Sequence, residues 1–262
     1  MKTSAGLLAL VGVTSSLHAA VVGYWRFEDG TFLSDSGPNG LELTTGRITP
    51  NQVIAPSDYP ATVAGMPNGR AASIVDTSRF SVPDHALFTD TSFTVEALVT
   101  PTTGAGGGTR IIAGQWNPTD NQQSWLVGIS DANVLTFQYS SSGSDSVPID
   151  SGITLVANTA YYVAVAVDMT DASESGITFY FQDLTNGGTF GTASSSPLHP
   201  SFFDSTSSFT IGASSQGTLQ WTGITDEVRI SGEKLGVSEL LIPEPASLAL
   251  VGLGLGILGW RR

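Results

Sequence analysis

"SFTVEALVTP", residues Ser92–Pro101, is the stretch whose reading decides the fold. Its run of β-branched and apolar residues predicts a strand over Ser92–Thr100. Side chains alternate along a strand, so Glu96, Leu98 and Thr100 share one face. Similar short runs recur on both sides, separated by Gly/Ser/Asn/Asp/Pro clusters, and no helical period persists between residues 20 and 241. The expected strands are Val21–Phe27, Ala71–Val75, Ser92–Thr100, Thr109–Gln115, Ser124–Ile129, Val134–Tyr139, Ala160–Asp168, Gly176–Asp183, Ser208–Ile211 and Thr222–Ile230. "ISDANV" predicts a hairpin turn with Asp131, Ala132 and Asn133 at its tip, and "GVSELL" at Gly236–Leu241 is the one late helix-like piece. Many short strands with frequent turn signals predict an all-β sandwich or jelly roll.

The two ends read differently from this middle. "MKTSAGLLALVGVTSSLHAA" has a basic Lys2, an apolar core Ala5–Val13 and a run of mostly small residues, the layout of a secretory signal peptide. Its apolar run is too short to span a bilayer, and cleavage is expected after Ala19. At the other end, Pro243-Glu244-Pro245 leads into the uncharged stretch Ala246–Trp260, and Arg261 and Arg262 follow. Fifteen residues make roughly 22 Å of helix, short of the ~30 Å hydrocarbon core. That makes a weak anchor, transient at the inner membrane, with the two arginines holding its end cytoplasmic. Gly252 and Gly256 form a GxxxG, for which sorting-signal composition is a simpler reading than helix dimerisation.

One domain therefore occupies residues 20–241, between a signal peptide at 1–19 and a tail at 242–262. Of the 23 acidic residues only Glu244 lies outside that domain, and of the ten basic residues Lys2, Arg261 and Arg262 do. Twenty-two acids against seven bases give the domain a net charge near −15, which repels nucleic acid and anionic membrane faces. The chain has no cysteine, so disulfides, thiol chemistry and iron–sulfur clusters are excluded. Only His85 and His199 lie in the domain, too few for a three-histidine metal site. "GAGGGTR" at Gly104–Arg110 lacks a phosphate-binding lysine and a following helix, and reads as a loop.

Two family resemblances sharpen these expectations. The tail resembles the PEP-CTERM sorting signals of Gram-negative, biofilm-forming bacteria: Pro243, Glu244 and Pro245 form the box, Ala246–Trp260 the apolar segment, and Arg261 and Arg262 the basic end. That resemblance implies export machinery and an exosortase-type processing enzyme as partners, and a destination at the cell envelope or outside it. The middle resembles the laminin-G-like, concanavalin A-like jelly rolls. It does so in "VGYWRFEDG" with "DSGPNG", in "GRAASIVDTSRFSVPDH", in "SFTVEALVTP" (like a central strand written FTIEAWVKP), in "YYVAVAVD" and in "WTGITDEVRISGEKLGVSELL".

What chemistry does such a domain carry? Retaining glucanases of this class set paired carboxylates on one strand face as ExDxE or ExDxxE, and no such pattern occurs here. Asp226 and Glu227 are adjacent, which predicts opposite faces. Asp168, Asp171 and Glu174 fall in "DMTDASE", a solvated turn. No G-x-S-x-G accompanies either histidine, so catalysis is not expected. The jelly-roll resemblance implies instead one structural Ca²⁺ tying the first strand's loop to the last strand, with Glu28, Asp29, Asp35, Asn39, Gly40 and Asp226 as candidate ligands. The competing reading is that Asp35 and Asn39 stabilise a turn and Asp226 caps a strand edge. Trp116, Trp125, Tyr139 and Trp221 are candidates for stacking on sugar rings, against the alternative of core packing. Trp25 reads as core. The expected function is an exported, non-catalytic binding or adhesion module for polysaccharide. A structural matrix protein without a ligand and a glycan hydrolase are the alternatives.

Overall fold

The computed structural model describes residues 20–88, 90–102 and 108–241. The signal peptide, most of the glycine-rich loop and the tail beyond Leu241, including the apolar segment expected to be helical, lie outside the described residues.

In chain order the strands are β1 (Val21–Trp25), β2 (Thr44–Thr45), β3 (Asn51–Ile54), β4 (Thr62–Val63), β5 (Met66–Pro67), β6 (Arg70–Ile74), β7 (Phe80–Val82) and β8 (Ser92–Pro101). Then come β9 (Arg110–Asn117), β10 (Gln122–Ile129), β11 (Val134–Tyr139), β12 (Val147–Thr154), β13 (Tyr161–Asp168), β14 (Ile177–Asp183), β15 (Gly191–Ser195), β16 (Phe209–Ile211) and β17 (Gly223–Ser231). Single 3₁₀ turns occupy Ala86–Phe88 and Val237–Glu239, the latter being all that "GVSELL" forms. Among the described residues no helix is long and apolar enough to cross a membrane.

Two large antiparallel sheets result, and β4 and β5 pair as a separate two-stranded hairpin. The first runs β15-β14-β13-β8-β17-β6-β3, with β1 also paired to β17, and the second runs β12-β11-β10-β9-β16-β7-β2. This is the expected all-β jelly-roll sandwich. Each strand predicted from the sequence exists, its ends displaced by up to two residues. Chain neighbours often lie far apart in sheet order: β8 is flanked by β13 and β17, which makes it the centre of the first sheet.

The core fills the space between the sheets. Phe93, Val95, Ala97 and Val99 point inward from β8, and Val163, Val165 and Val167 do the same from β13. An aromatic chain runs through the middle: Trp25 stacks on Phe209 at 5.2 Å between centroids, Phe209 on Phe88 at 5.0 Å, and Phe93 tilts on Trp125 at 4.6 Å. The outer face of the first sheet is also covered. A second apolar cluster there includes Tyr24, Tyr59, Leu98, Tyr162, Tyr180 and Leu241. Burial on both faces explains why β8 and β13 read as continuous apolar runs rather than strict alternations.

Candidate functional site

Strand β17 changes partner along one edge. Its first residues, Gly223–Thr225, pair with β6, whereas Val228–Ser231 pair with β1. Between them the register against β8 shifts, and Glu227 takes a left-handed backbone with φ of 51°. A bulge of this kind inserts an extra residue and re-aims a side chain. Asp226 stands opposite Leu98 and Arg229 opposite Glu96, both on the outer face. Glu227 reaches Tyr24 and Arg26 on that same face. The expectation that Asp226 and Glu227 face opposite ways is therefore corrected: strand alternation fails at the bulge, and both carboxylates lie on one side.

The fork gathers a buried polar group. Glu227, 1% exposed, receives the Arg26 guanidinium at 2.9 Å and the Tyr24 hydroxyl. Arg26 also donates to the Pro67 carbonyl at 2.7 Å. Burial pushes the Glu227 carboxyl up, and Arg26 and Tyr24 oppose it; burial also raises the Tyr24 phenol. Asp226 is fully buried. Its Oδ1 accepts from the Glu227 amide at 2.8 Å, while its Oδ2 and both side-chain amide atoms of buried Asn68 have no hydrogen-bond partner among the described residues. Burial first, and then the charge of Glu227, pushes Asp226 up to about 8. Asn68 lies close enough to lower it slightly, without a well-formed hydrogen bond. Glu28 adds its charge to the group while its Oε1 accepts from the Gly69 and Arg70 amides at 2.7 and 2.9 Å.

A second acid–arginine–tyrosine set lies further along the same face. Glu96, fully buried at the middle of β8, accepts from Arg229 Nε at 2.6 Å, from the Tyr162 hydroxyl at 2.6 Å and from the Leu241 amide at 2.6 Å. Burial raises its carboxyl, and Arg229 is the strongest of the groups opposing that rise.

The six residues expected to hold calcium do not converge. Asp35 is a turn-builder: its Oδ1 accepts from the Tyr24 and Gly37 amides, and its Oδ2 from the Leu41 amide. Asn39 donates to the Val21 and Val22 carbonyls, and Gly40 supplies the left-handed φ of 63° that closes the turn. Asp29 accepts from Thr31, and its carbonyl is bound by Gln52. These four are corrected to turn roles, and among the described residues no group of three or more acids or histidines is arranged to hold a metal. A smaller set does fit a hard cation: Asp226 Oδ2 and Asn68 Oδ1 are orphaned buried oxygens, and Glu28 stands beside them. Asn68 escaped the sequence reading because an isolated loop asparagine carries no pattern.

The four aromatics named for sugar stacking are all core residues. Trp125 and Tyr139 are 1% and 0% exposed within the inter-sheet cluster, and Trp221 is fully buried there too. Trp116 is 2% exposed in a small separate cluster with Ile111 and Leu126 under Leu219. A ring with no exposed face has nothing to offer a sugar, so this expectation is corrected. Trp25 is core, as read. Asp168 ends β13 and Asp171 sits in the turn that leads to β14, both accepting from local amides and hydroxyls. The sorting residues Pro243, Glu244, Pro245, Arg261 and Arg262 lie outside the described residues.

Two sheets of this topology, with covered outer faces, define a lectin-type jelly-roll sandwich. Residues 76–240 match the family described as the concanavalin A-like lectin/glucanases superfamily, and the chain belongs to it. Residues 241–262 match the PEP-CTERM protein-sorting motif, which marks the chain for export, envelope association and handling by exosortase-type machinery. Comparison with curated proteins returns no match. Among solved structures, the fold is similar to the binding domain of Paraclostridial Mosquitocidal Protein 1 (TM-score 0.57, 15% identity, 84% of this chain and 50% of that one). It is similar to domain 4 of AbnA, a GH43 extracellular arabinanase from Geobacillus stearothermophilus, in complex with arabinotriose (0.54, 20%, 85% and 97%). It is also similar to the binding domain of Botulinum Neurotoxin DC in complex with SialylT (0.56, 12%, 86% and 50%). The chain spans half the length of the two toxin binding domains. At these identities the likeness concerns the fold alone.

Proposed function

We propose that this chain is a non-catalytic glycan-binding module, exported to the outer surface of a Gram-negative-type cell and anchored transiently at the inner membrane through residues 246–260. The observation that carries the reading is the state of its two buried glutamates, Glu96 and Glu227. Both oxygens of Glu96 and of Glu227 are occupied by arginine and tyrosine partners. Glycoside hydrolysis needs one carboxyl free to attack or activate water and another free to give a proton, and neither acid is available for that work. Two of the similar folds are described in complex with ligands, the arabinanase domain with arabinotriose and the neurotoxin binding domain with SialylT, and the first supports a polysaccharide partner. Contact is then made by exposed loop side chains and not by the four buried aromatics.

The test pairs retention with release. The purified chain is incubated with insoluble polysaccharides and printed glycans, and the supernatant is assayed for reducing sugar. Retention without released sugar supports the proposal, and release overturns it. Binding to no glycan favours a structural matrix protein.

The reading includes one structural Ca²⁺ held by Asp226, Asn68 and Glu28. Bound there, the ion would supply positive charge to a buried carboxylate that has no cationic partner among the described residues and would tie the loop after β1 to β17. Oxygen donors of this kind suit Ca²⁺ over softer metals.

A further inference from the structure

The chain that leads into the sorting motif is bound to the outer face of the first sheet by its backbone. The Leu235 amide donates to Thr94 Oγ1 at 2.8 Å, and the Leu235 carbonyl accepts from the Tyr180 hydroxyl at 3.3 Å. The Glu239 carbonyl accepts from Arg229 at 2.8 Å. The Leu241 amide donates to Glu96 Oε1 at 2.6 Å. The side chains that grip this segment come from four strands, β8, β13, β14 and β17, because Tyr162 completes the Glu96 site. Leu241 itself is 6% exposed, packed in the cluster with Tyr24, Tyr162 and Tyr180.

Leu241 is also the first residue of the matched sorting motif. Pro243 follows two residues later, and a fully extended chain covers only ~3.3–3.6 Å per residue. The Pro-Glu-Pro box thus begins within roughly 7 Å of the grip, and the apolar segment at Ala246 within roughly 17 Å. A charge-assisted hydrogen bond from a backbone amide to a buried carboxylate is among the stronger contacts available, and it does not depend on the side chain of the residue held.

We infer that Glu96, set by Arg229 and Tyr162, is a positioning residue for tail processing: it holds Leu241 in the fold, so the processing enzyme meets a sorting motif crowded against the sandwich. The inference rests on the sorting reading of the tail. Residues up to Leu241 are withdrawn from recognition. Slack at this point relieves the crowding. Eight Gly/Ser residues inserted between Leu241 and Ile242 add on the order of 15 Å of average reach, and they leave every contact of the grip in place.

The experiment uses the full chain in cells with its exosortase-type enzyme and follows tail processing by pulse-chase. Three forms are compared: the natural chain, the insertion, and Glu96→Gln. Glutamine retains the acceptor oxygen but loses the charge that Arg229 and the Leu241 amide share. The insertion is expected to speed processing several-fold, and Glu96→Gln by a smaller factor. Hydrogen exchange on the purified chain supplies an independent readout: the Leu241 amide is slow in the natural chain and in the insertion, and at least tenfold faster in Glu96→Gln, an acceleration larger than that of the β8 and β13 amides. Equal processing of all three forms overturns the inference, as does slower processing of the insertion or a fast Leu241 amide in the natural chain. Should Glu96→Gln fail to fold, the insertion decides alone. A tail that is processed in none of the forms, beside a protected Leu241 amide, overturns the sorting reading and the inference built on it; a processed tail with equal rates overturns the inference only.

Discussion

Replacing Trp125 separates core packing from sugar stacking. Its ring lies 4.6 Å from that of Phe93 and 6.0 Å from that of Phe209, and its Nε1 donates to the Phe88 carbonyl at 2.9 Å. Trp125→Ala removes a fully enclosed aromatic, which in well-packed cores costs about 3–5 kcal/mol. It also strands the Phe88 carbonyl, adding a penalty on the order of 1 kcal/mol. For a domain of this size each kcal/mol shifts Tm by about 2–4 °C, so the expected fall from the combined cost of about 4–6 kcal/mol lies between about 8 and 24 °C. Trp125→Phe keeps most of the apolar area and loses the hydrogen bond, for a cost of about 1–2 kcal/mol. Urea unfolding with an unchanged m-value isolates the stability term, and retention on polysaccharide is measured beside it. A stacking platform behaves in the opposite way: removing an exposed ring changes stability by less than about 0.5 kcal/mol and abolishes retention. That second pattern for Trp125→Ala refutes the assignment of this residue to the core.

Further perturbations address the turn, the fork and the metal. Asp35→Ala deprives the Tyr24, Gly37 and Leu41 amides of their acceptor and is expected to lower unfolding free energy by about 2–4 kcal/mol, read by urea titration. Arg26→Ala leaves Glu227 buried without its cation at a cost of about 3–5 kcal/mol, whereas Arg26→Met with Glu227→Leu restores most of it, since an apolar pair of similar volume replaces a buried ion pair well. Asp226 is pushed up to about 8 in the fold, against about 3.9 for a free Asp carboxyl. Its stabilising contribution is therefore complete below about pH 4 and is lost as pH rises toward about 8. In chelator, stability should fall by up to about 1.4 kcal/mol per pH unit across that window. Asp226→Asn should flatten the slope. Adding Ca²⁺ at pH 7.5 should raise Tm, and an unchanged melting curve retires the ion.

The sequence exposed the inner strands and hid the outer ones, for a physical reason. Strands such as β8 and β13 are covered on both faces and must be apolar along most of their length, so they stand out as runs. The strands at the sheet ends, β2, β3, β12 and β15, went unread. β12 is "VPIDSGIT" and β15 is "GTASS", compositions suited to an edge that faces water and must resist pairing with another chain. β7, at "FSV", was too short for a period to register. The aromatics failed differently. Position within a strand says nothing about which face is open when both faces are covered, so Trp116 and Trp125 looked equally available and neither is.

The polar residues follow a logic that only the pairing reveals. Glu227 with Arg26 and Tyr24, and Glu96 with Arg229 and Tyr162, are two sets of one design on one face, each joining groups from different strands. From the sequence these were a mid-strand acid and half of an Asp-Glu pair, 131 positions apart by their numbers. Buried ion pairs add little stability over apolar packing, and their best-attested use is to fix register. That use is needed here at two places. β1 pairs as a strand with the last part of β17 and adds a single bridge from Trp25 to Asp35, and a slip of two residues would leave its apolar face buried while moving Arg26 away from Glu227. Among the described residues the segment 235–241 has no strand partner, and it is located on the sheet by its bonds to Thr94, Tyr180, Arg229 and Glu96. Both ends of the sandwich are thus fixed by charge where apolar contact alone leaves them free to slide, and one of those ends is the point from which the sorting tail departs.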